Sequence, residues 1–117
     1  GLSRTGKTPT SIYLSCRKLK VANVPIIHPV PLPSMVAKAP AKKVGFQMSA
    51  DRLIQLRGER VRRMPSAKLP RYAKKGHIFE EMEYCQQVFR KLPALRVIDV
   101  TDRSIEEIAE WITRKVL

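Results

Sequence analysis

The first eight residues constrain this chain more than any other feature. Gly1-Leu2-Ser3-Arg4-Thr5-Gly6-Lys7-Thr8 fits G-x-x-x-x-G-K-[ST], the loop that cradles phosphates. Its chemistry follows from its residue types. Glycines let the backbone approach a phosphate closely, successive N–H groups point inward, and the N-terminus of the following helix adds partial positive charge. Lys7 is placed to reach the terminal phosphate of a nucleotide, and Thr8 to offer its hydroxyl to Mg²⁺. Such a loop sits between a strand and a helix. Pro9 suits the first turn of that helix, where its missing N–H would be unpaired anyway, and Ile12, Tyr13, Leu14, Cys16 and Leu19 give it apolar faces as far as Lys18-Leu19-Lys20. The strand expected before Gly1 is not in the sequence, so the 117 residues read as part of a longer chain with its first strand missing.

Further along, local signals alternate between strand and helix. Val21-Ala22-Asn23-Val24-Pro25-Ile26-Ile27 reads as a short buried strand with Pro25 limiting its ladder. Residues 25–40 carry five prolines and a single charge, Lys38, which predicts an extended connection without a stable helix. After Val44-Gly45-Phe46, Ser49 is an N-cap for a helix over 50–63 that carries Arg52, Arg57, Arg60, Arg62 and Arg63. Pro65 and Pro70 interrupt, and the basic stretch Arg71-Tyr72-Ala73-Lys74-Lys75-Gly76 leads into a helix over 77–92 with Ile78, Met82, Cys85, Val88 and Phe89 at three- and four-residue spacing. Residues 95–100 are the best strand in the chain. Ser104 and Glu107 then form a capping box that opens a final helix, with Ile105, Ile108, Ala109, Trp111, Ile112 and Val116 on its core face. This alternation predicts an α/β fold, a parallel sheet flanked by helices. The organisation is 1–27 for the loop, helix and strand, 28–48 for a variable Pro-rich loop, 49–76 for a basic helix and lid-like loop, and 77–117 for helix, strand and helix.

The formal net charge is +13, and it is unevenly spread. Residues 1–77 hold 17 Lys and Arg against Asp51 and Glu59, whereas residues 78–117 hold six against eight acids. An anionic partner therefore meets the first two-thirds of the chain. Nucleic acid fits poorly, since Tyr13, Phe46 and Tyr72 are far apart and no groove-reading motif is present. No apolar run approaches the roughly 20 residues of a membrane span. Cys16 and Cys85 are isolated, which excludes metal-type and redox-type pairs.

Three strings carry a family resemblance: Ser3-Arg4-Thr5-Gly6-Lys7-Thr8-Pro9 and its flanks, Lys20-Val21-Ala22-Asn23-Val24-Pro25, and Val97-Ile98-Asp99-Val100-Thr101 with Ser104-Ile105-Glu106-Glu107. Together they resemble the pyruvate, phosphate dikinase regulatory protein family, whose relatives regulate phosphoenolpyruvate synthase. In the middle, Leu53, Leu56-Arg57, Arg60 and Tyr72-Ala73 are similar to the family's L-x-x-I-R-x-x-R and S-x-Y-A stretches, with Leu56 replacing the usual Ile, and 27–44 departs most. The resemblance implies a P-loop kinase-like fold and a bifunctional serine/threonine kinase and phosphorylase. Such an enzyme transfers phosphate from ADP to a threonine of the dikinase, inactivating it, and removes it with inorganic phosphate, releasing pyrophosphate. Mg²⁺, a cytoplasmic or plastid-stroma location and a possible homodimer come with that expectation.

The site expected on these grounds has Gly1, Leu2, Ser3, Arg4, Thr5, Gly6, Lys7 and Thr8 on the nucleotide, with Thr8 also on Mg²⁺. Arg57 and Arg60, three apart, would fold over the phosphates, and Arg4 would serve the nucleotide or the incoming target phosphate. Asp99, at a strand end, would hold Mg²⁺ through water or act as base toward the target threonine. A solvated basic face for the arginines and a strand-end structural role for Asp99 stay open beside these roles. Three competing functions also remain: regulation of phosphoenolpyruvate synthase by the same chemistry, an ATP-dependent small-molecule P-loop kinase, and a basic nucleic-acid-binding module.

Overall fold

Val44–Gln47 and Arg96–Asp99 pair in parallel as strands β1 and β2, with Phe46 opposite Ile98 and Gln47 opposite Asp99. The computed structural model describes residues 1–63 and 74–117. Five helices accompany the strands among these: α1 (Lys7–Cys16), α2 (Ser34–Lys38), α3 (Ala50–Arg62), α4 (Lys75–Arg90) and α5 (Ile105–Lys115). The result is an α/β arrangement, a small parallel sheet flanked by helices. Phe46 and Ile98 from the sheet, with Val100 just beyond β2, share one core with Leu14 of α1, Leu53 of α3, Ile78 and Phe89 of α4 and Ile108 of α5. Leu53, Ile78 and Ile108 are essentially inaccessible, and burial on that scale contributes about 1.5–3 kcal/mol per side chain. Gly45 permits the closest approach: a Cβ there would stand 2.7 Å from the Phe89 ring, so only glycine lets α4 lie this near β1.

The local stop and start signals explain the helix ends. Ser49 caps α3 by accepting from the Arg52 N–H at 3.3 Å. At α5 the capping box is complete: Glu107 N–H donates to Ser104 Oγ at 3.1 Å and Ser104 N–H to Glu107 Oε1 at 3.3 Å. Helix α1 stops at Cys16, short of the expected lysines. Lys18 turns left-handed (φ 66°), and Leu19 N–H reaches back to the Leu14 carbonyl, closing the helix before Lys18 can join it.

Three expectations need correction. The strand expected over 21–27 is not formed. Ile26 N–H donates to the Gly1 carbonyl (2.9 Å) and the Gly1 nitrogen to the Val24 carbonyl (3.5 Å), the bonds of one parallel bridge in which the missing N–H of Pro25 is not needed. Ile27 sits instead in an isolated antiparallel bridge with Val30. The Pro-rich connection does contain a helix, because no proline falls between Pro33 and Pro40 and Pro33 serves as N-cap of the five-residue α2. Val44-Gly45-Phe46, read as a lead-in, belongs to β1, which shares the sheet with β2. The interruption at Pro65 and Pro70 and the stretch Arg71-Tyr72-Ala73 lie outside the described residues.

Candidate phosphate site

The loop of residues 1–6 is held from below by its own carbonyls. Leu2 O accepts from Thr5 Oγ1 at 2.7 Å and from Lys7 Nζ at 2.5 Å, and Ser3 O accepts from Arg57 Nη2 at 3.3 Å. In a planar trans peptide the carbonyl and the following N–H point oppositely. Anchoring the Leu2 and Ser3 carbonyls therefore turns the Ser3 and Arg4 N–H groups to the other side of the loop. Arg4 (φ 71°) and Gly6 (φ 86°) are left-handed, a conformation that glycine takes without strain and that costs a residue such as Arg about 1–2 kcal/mol. Gly6 is the N-cap of α1 and supplies no side chain, and no acid stands in the first turn. The opening N–H groups of α1 thus lack both a side-chain cap and a compensating carboxylate.

Beneath the loop the cations are crowded. Arg57, from α3, is completely buried and pairs through Nη1 with Glu81 Oε2 of α4. Burial, and then the Arg57 guanidinium, push the Lys7 ammonium down to about 8 from its usual 10.5. Thr8 is exposed, and its Oγ1 accepts from Asn23 Nδ2 at 2.9 Å, leaving the hydroxyl hydrogen to donate elsewhere. Leu2 and Thr5 are buried in the loop, Ser3 and Arg4 are exposed, and Arg60 is exposed three residues beyond Arg57. The structure therefore brings Lys7 and Arg57 together but separates Arg57 from Arg60 by burial.

The loop also meets the carboxyl end of the sheet. A Cβ on Gly1 would lie 3.0 Å from the Phe46 carbonyl of β1, and one on Gly6 would lie 3.7 Å from Ile105 Cδ1 of α5. Asp99, opposite Gln47 at the end of β2, accepts through Oδ1 from Thr101 N–H (2.9 Å) and Thr101 Oγ1 (2.5 Å), while Thr101 Oγ1 accepts from Ser49 N–H (2.9 Å). These bonds to Thr101 hold the Asp99 carboxyl below the usual carboxylate range, so it stays ionised at neutral pH. An ionised carboxylate of lowered basicity suits holding a cation better than taking a proton. No group of three or more His, Cys, Asp and Glu side chains is placed to hold a metal among the described residues.

The donor set of inward N–H groups, an uncapped helix start, Lys7 and the Thr8 hydroxyl fits a polyphosphate. Comparison with known proteins decides the family. A model described as Kinase/pyrophosphorylase matches residues 1–113. The chain belongs to the kinase/pyrophosphorylase family. A relative from Streptococcus uberis is 44% identical over 99% of the chain and 43% of its own length. Relatives from Geotalea daltonii (40% identical, 98% of this chain, 43% of their own) and Geobacter sulfurreducens (41%, 99% and 44%) are equally well covered. All three are named as pyruvate, phosphate dikinase regulatory proteins, and the chain spans less than half of their length. No solved structure matches.

For this kinase/pyrophosphorylase chain, sequence reasoning missed Glu81 and the two loop carbonyls. Glu81 read as one of several acids covering α4, and its signal was faint: it follows Ile78 by three residues and so shares the buried face. Carbonyl anchors leave no trace in side-chain patterns. Among the described residues, no helix is long and apolar enough to cross a membrane.

Proposed function

We propose that this chain carries the phosphoryl-transfer site of a regulator of pyruvate, phosphate dikinase, in a P-loop kinase-like fold. In one direction the terminal phosphoryl of ADP passes to a threonine hydroxyl of the dikinase, leaving AMP and a proton. In the other, inorganic phosphate attacks the phosphothreonine, giving pyrophosphate and free threonine. The observation that carries this reading is the loop itself, with the N–H groups of Ser3 and Arg4 turned away from the anchored carbonyls, an uncapped helix start behind it, and Lys7 parked on the Leu2 carbonyl. The relatives' names supply the target class.

The chain's own residues divide the work. The N–H groups of the loop and of the first turn of α1 bind the polyphosphate, and Lys7 leaves the Leu2 carbonyl for the transferred phosphoryl group. Thr8 and Asp99 are the residues to hold Mg²⁺, which would neutralise phosphate charge. Arg4, exposed beside the loop, meets the incoming target phosphate, and Arg60 closes from α3. Because phosphoryl transfer depends mainly on positioning and charge stabilisation, this set is sufficient in kind. The test is transfer from β-labelled ADP to purified dikinase by the intact protein. Labelled phosphothreonine, released as pyrophosphate on adding phosphate, supports the reading. Absence of transfer sinks it, and transfer to phosphoenolpyruvate synthase alone reassigns the target.

A further inference from the structure

Arg57 is the largest fully buried side chain in the described structure, and it meets the loop at the Ser3 carbonyl. A buried guanidinium is costly unless an opposite charge pairs with it. Here one arm meets Glu81 of α4 and the other meets the Ser3 carbonyl, 54 residues away in sequence. The arrangement links α3, α4 and the loop at a single group. Since the Ser3 carbonyl and the Arg4 N–H share one peptide plane, fixing the first on Arg57 fixes the second on the opposite, phosphate-facing side. Arg4 is then held in its left-handed conformation, which an unanchored loop would tend to relax. Glu81 keeps the guanidinium in register and balances its charge.

We infer that Arg57 is a positioning residue, whose guanidinium, braced by Glu81, pins the Ser3 carbonyl and so sets the polyphosphate-binding shape of the 1–8 loop. This rests on the phosphate-site reading above and names a role within it. The group acts through the loop backbone, and Lys7 remains the cation that meets phosphate. A fork is required, because a single ammonium in its place can pair with Glu81 or reach the carbonyl but cannot hold both in the same geometry.

The test uses inorganic pyrophosphate and ADP as probes on the intact protein, well below its melting temperature. Arg57→Lys is expected to leave a cooperative melt and to weaken pyrophosphate binding by tenfold or more. The amide signals of Ser3 and Arg4 should shift, and KM for ADP should rise more than kcat falls. Glu81→Gln should move affinity in the same direction by a smaller factor. Should Arg57→Lys fail to fold, the neutral pair Arg57→Gln with Glu81→Gln, which leaves no buried charge unmatched, is measured instead, with the same tenfold loss expected. A folded variant that binds pyrophosphate within twofold of the parent, with Ser3 and Arg4 signals unmoved, overturns the inference. Lys7→Ala separates the two levels: if it too leaves pyrophosphate affinity unchanged, the phosphate-site reading itself is wrong.

Discussion

Two helices begin side by side in this molecule, and they begin in opposite ways. At α5, Ser104 and Glu107 satisfy each other's backbone N–H groups and two acids occupy the first turn. At α1, Gly6 contributes no side chain, no acid stands in the first turn, and cations lie beneath. Both ends obey the same electrostatics, since the first N–H groups of any helix lack partners within the helix and carry partial positive charge. The α5 end is completed by its own residues and the α1 end is not. On the proposed reading the difference separates a structural helix start from one that an anion from outside the chain would finish.

The sharpest way to break the contrast is to remove what supports the open end. Arg57→Ala should destabilise the protein by about 3–5 kcal/mol, because it leaves Glu81 buried without its partner, and a denaturant melt reads that loss. Lys7→Ala should do the reverse. It should cost about 2–4 kcal/mol in ADP or pyrophosphate affinity by calorimetry while leaving the melt nearly unchanged, because the ammonium it removes is itself burdened by burial. Closing the comparison from the other side, Ser104→Ala should cost about 1 kcal/mol of stability and nothing in affinity. Gly6→Ala, at φ 86°, should cost a similar amount of stability, about 1–2 kcal/mol, and unlike Ser104→Ala should weaken binding as well.

Acidity gives a smaller but more specific effect. The pKa of Lys7 is lower in the folded protein (about 8) than its usual 10.5, so the unfolded chain binds more protons between those values. The contribution of Lys7 to stability therefore rises with pH across that window. Polyphosphate affinity moves the other way: it should fall above pH 8, as the unliganded ammonium loses its proton. Opposite slopes for the melt and the titration would place both effects on Lys7, and both should vanish in Lys7→Ala.

What the sequence made legible was local. The loop, the Ser49 cap, the Ser104 and Glu107 box and β2 are each written within a few adjacent residues, and their physics acts over the same distance. What it hid was long-range. Val21 to Ile27 has the composition of a strand but forms none, its last residue held in an isolated bridge to Val30, and composition says nothing about who is alongside. β1 hid because four residues with a glycine at the second position carry little signal, and the reason for Gly45 is a Phe89 ring on another element. Arg57 was read as one member of a basic helix face. Its burial depends on Glu81 and Ser3, 24 and 54 residues away, and no pattern within α3 announces either.

The central claim is that the α1 end is completed by phosphate, and titration of the intact protein with pyrophosphate at pH 7 tests it most directly. The account predicts saturable binding that strengthens the melt, falls by a factor on the order of 100 in Lys7→Ala, and is untouched in Ser104→Ala. Binding that is equal in the parent and in Lys7→Ala, or that Ser104→Ala weakens as much as Lys7→Ala does, would contradict it.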